Sequence, residues 1–174
     1  MFTVTTQRPE DSDRIEALLD AVFGPNRANK TSYRYREGLL PDPYLSLVAR
    51  DGDAIVGTIR YWPIAIGEFR EPALLLGPLA TAPHRRGEGI GAALINQSLE
   101  MATWANHRLA VLVGDPEYYG RFGFRSAADH GIHMPGEDPA RVQVRELAAG
   151  ALDDASGAIR HWRRVRRRVV SRAA

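Results

Sequence analysis

Polar and apolar residues alternate at the start of the chain and then change to a helical period. Residues 2–8 (FTVTTQR) alternate in polarity and are rich in β-branched side chains, which predicts a first strand. After the cap-type residues Asp11 and Ser12, apolar residues recur at helical spacing, and Gly24-Pro25 ends the helix that they predict. The apolar positions of this helix are Ile15, Leu18, Leu19 and Val22.

A polar and aromatic segment follows, and then a pair of hydrophobic runs. We expect residues 26–38 to form a loop and a short second helix. Residues 44–50 and 54–66 flank the sequence DGD, which is a strong signal for the turn of a β-hairpin. The pattern therefore predicts two antiparallel strands here.

A third hydrophobic run, residues 72–81, contains Gly77-Pro78 in its middle. Proline cannot donate a hydrogen bond to a sheet, and both residues favour bulges or splayed strands. We therefore expect a strand with an irregular centre. A helix is predicted for about residues 90–105, and its apolar stripe is Leu94, Ile95, Met101, Ala102 and Ala105.

The last third of the chain predicts three strands and one short helix. Residues 108–114 (RLAVLVG) predict a buried strand. Asp115 as N-cap and Pro116 at the first helical position predict a short helix. Late strands are predicted in GFRSA and VQVRELA, on either side of the loop ADHGIHMPGEDPA. The order β-α-α-β-β-β-α-β-α-β-β predicts a single mixed α/β domain with a partly antiparallel sheet.

Composition narrows the classes of function. The 174 residues suffice for one domain with a core. There is no long apolar run and no secretory pattern at the N-terminus, so we expect a cytoplasmic protein without a membrane span. The chain has no cysteine, which excludes disulfides, cysteine nucleophiles and cysteine-bound zinc.

Positive charge is concentrated at the C-terminus. Residues 160–174 contain seven arginines and no acid, whereas the whole chain has a formal charge of +2, which leaves about −5 for residues 1–159. We interpret residues 1–159 as the domain and 160–174 as a basic tail. We expect this tail to be solvated or attracted to membrane surfaces and polyanions, with nucleic-acid binding as the weaker interpretation. Packing against a second subunit in a homodimer is an equal alternative to solvation.

The sequence PHRRGEGIGAALI, residues 83–95, indicates an anion site. Gly87, Gly89 and Gly91 precede or open the predicted helix, where free backbone N–H groups and the helix dipole attract phosphate. Arg85 and Arg86 add positive charge nearby. A phosphate or pyrophosphate is the predicted occupant.

Two common phosphate motifs fit this loop poorly. A P-loop ends in Gly-Lys-Ser/Thr, which is absent. The dinucleotide fingerprint is matched by Gly87, Gly89 and Ala92, with Asp115 about 23 residues beyond the fingerprint. In that fingerprint, however, a strand leads directly into the first glycine, whereas TAPHRR intervenes here.

The loop resembles that of the GNAT acetyltransferases. Arg86, Gly89 and Gly91 have the R/Q-x-x-G-x-G/A spacing of that family, LLLGPLAT is similar to its fourth strand, and VLVGDPEYYGRFGF is similar to its fifth strand and YxxxGF element. The similarity is strongest to a small bacterial branch with motifs like LGPLAV and VLVGDPxYYxRFGF. It extends over residues 44–125 and, in topology, over the whole chain.

The resemblance implies direct transfer of an acetyl group from acetyl-CoA to an amine, with a splayed strand beside the cofactor. The implied catalytic acid is Tyr119, four residues before Gly123, with Tyr118 as its neighbour. The thioester oxygen would be polarised by a backbone amide near Leu79. The implied cofactor-binding residues are Leu79, Ala80, Thr81, Arg86, Gly87, Glu88, Gly89, Ile90, Gly91 and Ala92.

Other assignments stay open at this point. The general base has four candidates, which are Glu68, Glu71, His84 and Asp115. The acceptor, a small-molecule or peptide amine, is expected against residues 26–37 and 126–140, where candidate contacts are Asn26, Arg27, Tyr33 and Tyr35. His130 and His133 form an H-x-x-H pair in a glycine-containing loop, to which we assign no metal. A non-catalytic acyl-CoA-binding module is the alternative function.

Overall fold

The computed structural model describes residues 1–163, most of which belong to one large sheet and the helices packed on it. The strands are β1 Thr3–Thr6, β2 Leu47–Asp51, β3 Ala54–Ile66, β4 Glu71–Thr81, β5 Leu109–Val113, β6 Arg125–Ser126, β7 Ile132–His133, β8 Val142–Glu146 and β9 Gly157–His161. The α-helices are α1 Ser12–Phe23, α2 Ile90–Trp104 and α3 Pro116–Gly120.

The sheet is mixed, which confirms the predicted α/β class. Its order is β1-β2-β3-β4-β5-β8-β6, and β4 with β5 is the parallel pair in an otherwise antiparallel path. The strand β3 is long enough to have two neighbours on one edge. Its first half pairs with β2, and Ile64–Ile66 pairs with β9, which in turn pairs with β7.

The centre of β4 is irregular, as the sequence predicts. In the pairing of β3 with β4, Ile59 lies opposite Leu79 and Tyr61 lies opposite Leu76. Two residues of β4, Gly77 and Pro78, therefore correspond to a single residue of β3, which is the pattern of a β-bulge. The indole N–H of Trp62 donates to the Gly77 carbonyl at 2.7 Å, so this carbonyl has a partner despite the bulge.

The strands β4 and β5 diverge beyond a short region of pairing. Leu74 pairs with Ala110 and Leu75 with Val111. Within residues 1–163, the rest of β4 up to Thr81 has no strand partner on this side. The sheet therefore opens between the two strands next to the bulge, and the predicted splayed pair is confirmed.

Alternate side chains of the strands enter hydrophobic clusters on the two faces of the sheet. Leu74 and Leu76 join a cluster with α1 and α2, to which Ile15, Leu19 and Leu94 belong. The helix α2 lies close to β3, because a β-carbon at Gly57 would be 2.6 Å from Cγ2 of Ile90. Leu75 points into the second cluster, which contains loop and β8 residues.

Several predicted boundaries are wrong. The second helix is a pair of 3₁₀ turns, Pro25–Asn29 and Thr31–Tyr35, because Lys30 between them is extended. The strand predicted from residue 44 begins at Leu47. Ala105 follows the end of α2 and is exposed.

The late strands differ from the prediction as well. Strand β7 lies in the predicted loop, and β9 was not predicted at all. The predicted domain boundary after residue 159 falls inside β9, so Arg160 and His161 belong to the sheet. The predicted tail beyond residue 163 lies outside the described residues. No helix within the described range is long and apolar enough to span a membrane.

Candidate active site

A cavity of about 700 Å³, which we call the loop cavity, lies between the end of β4, the glycine loop and the first turn of α2. Among the residues predicted to hold the cofactor, those that line it are Leu79, Ala80, Thr81, Arg86, Gly87, Gly89, Ile90, Gly91 and Ala92. Phe23, Tyr118 and Arg121 complete much of its wall. The structure therefore brings the β4 segment and the glycine loop together on the wall of one cavity.

The glycines of the loop have two different roles. Gly87 and Gly89 have φ values of 86° and 79°, and added β-carbons would meet nothing within 4 Å. They are required by conformation, because other residues adopt this left-handed region only at a cost. Gly91 is helical, and a β-carbon there would lie 3.0 Å from the Tyr118 hydroxyl and 3.6 Å from Oγ1 of Thr81.

The arginines beside the loop are not equivalent. Arg85 forms ion pairs with Asp51 and Glu88, each at 2.7 Å. The hydrogen bond from Arg85 to Glu88 lowers the pKa of the Glu88 carboxyl. Of the predicted cofactor-binding residues, Glu88 does not line the loop cavity; its carboxylate is paired with Arg85 instead. Arg86 is exposed and has no ion pair within residues 1–163. It remains available to an anion.

Arg121 is a further cation on the wall of the loop cavity, beside Arg85 and Arg86, and the sequence analysis missed it. Its guanidinium carbon lies 4.5 Å from the centre of the Tyr118 ring, a cation–π arrangement. The sequence carried a usable signal, because Arg121 directly follows the short helix α3 that holds both tyrosines.

A smaller cavity of about 270 Å³, which we call the strand cavity, lies where β4 and β5 diverge. Its walls include Gly77, Pro78 and Leu79 of β4 and the end of β5 up to Gly114. The other walls come from the 3₁₀ turns, Asp115, Tyr119 and Arg141. Leu79 and Phe23 line both cavities, which are therefore adjacent.

The two neighbouring tyrosines of α3 face different cavities. Tyr118 lines the loop cavity and Tyr119 lines the strand cavity, and their rings meet edge to face with centres 4.9 Å apart. Burial raises the pKa of Tyr119 to about 12, and the neighbouring Tyr118 adds to the shift while Arg141 opposes it. The Tyr119 hydroxyl is therefore protonated at neutral pH.

Residues 3–127 match the family model described as the acetyltransferase (GNAT) domain. This chain belongs to the GNAT acetyltransferase family. The uncharacterized N-acetyltransferase YhbS of Escherichia coli K12 is 30% identical over 162 residues, which cover 91% of this chain and 95% of YhbS.

Solved GNAT structures agree with this assignment. YhbS from E. coli in complex with CoA has a TM-score of 0.80 at 29% identity, with 92% of this chain and 89% of that chain covered. A GNAT family acetyltransferase from Brucella melitensis in complex with acetyl-CoA has a TM-score of 0.69 at 28% identity, with 92% and 95% covered. Both relatives therefore carry the donor cofactor, or its product, in the same fold.

The candidate bases of this GNAT protein are widely separated. Asp115 lines the strand cavity and also caps α3, because its Oδ1 accepts from the Glu117 N–H at 3.0 Å. Glu71 is paired with Arg108 at 2.8 Å near the far end of β4, and Glu68 lies in the neighbouring turn. His84 is exposed in a 3₁₀ turn before the glycine loop.

The predicted acceptor contacts do not all line the strand cavity. Tyr33 lines the strand cavity, and Arg27 donates to its hydroxyl at 3.1 Å while pairing with Glu16. Tyr35 is buried in the second hydrophobic cluster, and Asn26 is exposed. The neighbouring Arg36, which the sequence analysis did not select, is buried on the cavity wall.

The late loop supports this wall from behind. Oγ1 of Thr31 donates to the carbonyl of Gly136 at 3.1 Å, which ties residues 126–140 to the second 3₁₀ turn. His130 lies in a 3₁₀ turn and His133 in β7. Among the residues that the structure describes, no three potential metal-ligating side chains form a group.

Proposed function

We propose that this GNAT protein transfers an acetyl group from acetyl-CoA in the loop cavity directly to an amine in the strand cavity. The observation that carries the proposal is the adjacency of the two cavities at Leu79, with the glycine loop at one end and Tyr119 at the other. A donor and an acceptor held on either side of one residue satisfy the proximity that direct transfer requires.

The residues of the loop cavity fit the pyrophosphate of the cofactor. Gly87 and Gly89 keep their backbone N–H groups clear of side chains, and Gly89 is the N-cap of α2, whose dipole favours an anion. Arg86 and Arg121 are the cations on this wall that have no carboxylate partner within residues 1–163. We assign the pyrophosphate to these groups.

The free edge of β4 fits the peptide-like arm of the cofactor. Leu79, Ala80 and Thr81 pair with β3 on one side, whereas their other side faces the opening toward β5. Backbone groups on an open strand edge bind an extended, amide-containing ligand as an added strand would. In this arrangement the Leu79 N–H is the donor that polarises the thioester oxygen.

Two side chains of the strand cavity are suited to moving protons. Bound acetyl-CoA supplies the acyl group as a thioester. Asp115 carries a second carboxylate oxygen, Oδ2, which is not used in the helix cap and which we propose takes the proton that the acceptor ammonium must lose. The Tyr119 hydroxyl, protonated at neutral pH, gives its proton to the departing thiolate and regains one from the attacking nitrogen, which loses its second proton as the amide forms.

The test is a turnover assay with two readouts. The protein is incubated with acetyl-CoA and a panel of amines, free thiol is followed spectroscopically, and acetylated product is identified by mass spectrometry. We expect thiol and product in equal amounts. Binding of acetyl-CoA without thiol release for any amine would instead identify a non-catalytic acyl-CoA-binding module.

A further inference from the structure

Arg36 is a buried cation that has no carboxylate partner within residues 1–163. Its residue exposure is 9%, and its Nε and Nη1 atoms are buried and have no hydrogen-bond partner in the described part of the chain. Buried arginines are normally paired, because an unsatisfied guanidinium is costly to remove from water. Within residues 1–163, no carboxylate forms an ion pair with this side chain.

Aromatic rings hold Arg36 in place without supplying an anion. Its guanidinium carbon lies 4.2 Å from the centre of the Tyr33 ring and 5.7 Å from that of Trp62. Tyr33 is fixed by Arg27, and Trp62 is fixed by its hydrogen bond to Gly77. The two rings therefore fix the orientation of the guanidinium, as expected for a ligand-binding group.

Arg36 lies on the wall of the strand cavity, next to the bulge of β4. A β-carbon at Gly77 would lie 3.3 Å from its Nη2 atom, and both residues line the cavity. Lys30 and Arg141 are further cations on this wall, whereas Asp115 is the carboxylate that lines it among the described residues. The cavity therefore combines a positive inner wall with one acidic group.

We propose that Arg36 binds a carboxylate of the acceptor, and that the acceptor is a small zwitterion with a primary amine and a carboxylate a few bonds apart. This inference rests on the proposed acetyl transfer. A planar guanidinium matches a carboxylate in geometry, and Asp115 matches the ammonium group of the same molecule. The volume of about 270 Å³ suits a free amino acid rather than a larger compound.

The charge of Arg36 supports this assignment. Burial lowers the pKa of its guanidinium to about 10, with Arg27 and Arg60 contributing and Tyr33 opposing the shift. The side chain therefore remains cationic at neutral pH, and a bound carboxylate would supply the anion that residues 1–163 do not.

The test compares acceptors that differ only in the carboxylate. A series of straight-chain amino acids with increasing distance between amine and carboxylate is assayed beside alkylamines of the same lengths. We expect kcat/KM to favour the matching amino acid over its alkylamine by about 100-fold, the value of a charge-assisted hydrogen bond. Arg36→Met should remove this preference by raising KM for the amino acid, with little change for the alkylamine.

Two further variants separate binding from folding. Arg36→Lys keeps the charge and should restore part of the preference, and Arg34→Met removes an exposed arginine of the same turn and should leave it intact. Equal use of amino acids and alkylamines by the unmodified protein would overturn the proposal while acetyl transfer stands. A preference that survives in Arg36→Met would also overturn it.

A binding measurement keeps the proposal falsifiable without turnover. Calorimetric titration of the unmodified protein with the same amino acids and alkylamines should detect the amino acid alone, and Arg36→Met should lose this signal. No thiol release together with no binding of acetyl-CoA would contradict the proposed function. No binding of any amino acid by a protein that does bind acetyl-CoA would contradict the role of Arg36.

Discussion

The ring of Tyr119 lies directly against the α-carbon of Gly114. A β-carbon at Gly114 would be 2.7 Å from Cδ2 of the ring and closer still to Cε2, so no other residue fits there without moving the tyrosine. Tyr119 is held on its other sides by Tyr118 and Phe124. Gly114, the residue directly after β5, thus fixes the position of the hydroxyl in the strand cavity.

Replacement of this hydroxyl should affect turnover more than binding. In Tyr119→Phe the ring packing is kept and the proton donor is lost, so we expect kcat to fall about 100-fold, as for removal of a general acid. The calorimetric Kd for acetyl-CoA should stay within about twofold. Tyr118→Phe is the matched control, because that hydroxyl faces the loop cavity, and equal kcat losses in both variants would remove Tyr119 from the mechanism.

Gly91→Ala should separate stability from cofactor binding. Alanine in a helix is favoured over glycine by about 1 kcal/mol, so the free energy of unfolding should rise or stay level. The new methyl group would lie against Tyr118 and Thr81 on the wall of the loop cavity, so Kd for acetyl-CoA should rise about tenfold. Gly120→Ala, in open space within α3, is the control and should leave Kd unchanged.

The raised pKa of Tyr119 predicts a loss of stability at alkaline pH. The unfolded chain releases this proton near pH about 10, whereas the folded protein holds it to about 12. Between these values the folded state binds more protons, so the free energy of unfolding falls as pH rises. Below pH about 10 the contribution is fully present.

Urea unfolding across this window tests the sign. The unmodified protein should lose more stability between pH about 9 and about 11 than Tyr119→Phe does, because the variant lacks the titrating group. Parallel losses in the two proteins would contradict the assignment.

A buried hydrogen-bond chain should contribute to stability alone. The Tyr61 hydroxyl lies 2.9 Å from Oγ of Ser98, which donates to the Leu94 carbonyl at 2.7 Å. Ser98→Ala leaves the tyrosine without this partner, and we expect a loss of about 1–3 kcal/mol in the free energy of unfolding. The double variant with Tyr61→Phe should lose less than the sum of the single changes, and kcat of the folded protein should not change.

The sequence predicted those parts of the site that depend on local backbone chemistry. Gly77-Pro78 interrupts the regular pairing of β4 whatever the strand packs against. Asp115 and Pro116 begin a helix through local interactions alone. The alternating glycines of the loop act in the same way, because Gly87 and Gly89 need their left-handed conformation locally. These features therefore appear where the pattern indicated.

Features that depend on distant segments could not be predicted. Strand β9 forms because the outer end of β3 has a free edge, and its pairing joins Ile66 to Ile159 across most of the chain. Arg160 and the arginines that follow β9 in the sequence made the end of this strand resemble the start of a solvated tail. Arg36 is buried only because a 3₁₀ turn, β3 and the bulge of β4 meet around it, whereas an arginine in a polar segment is normally exposed.

The most direct test of the account is a calorimetric titration of the loop cavity with acetyl-CoA and, separately, NAD. The unmodified protein should bind acetyl-CoA and not NAD. Gly89→Val should lose binding, because valine strains the left-handed N-cap of α2 and covers its free N–H groups. Gly52→Val, in the hairpin turn with φ of 57°, carries the same strain away from the cavity and should bind normally. Binding of NAD instead of acetyl-CoA, or full affinity in Gly89→Val, would contradict the assignment of this cavity to the acetyl donor.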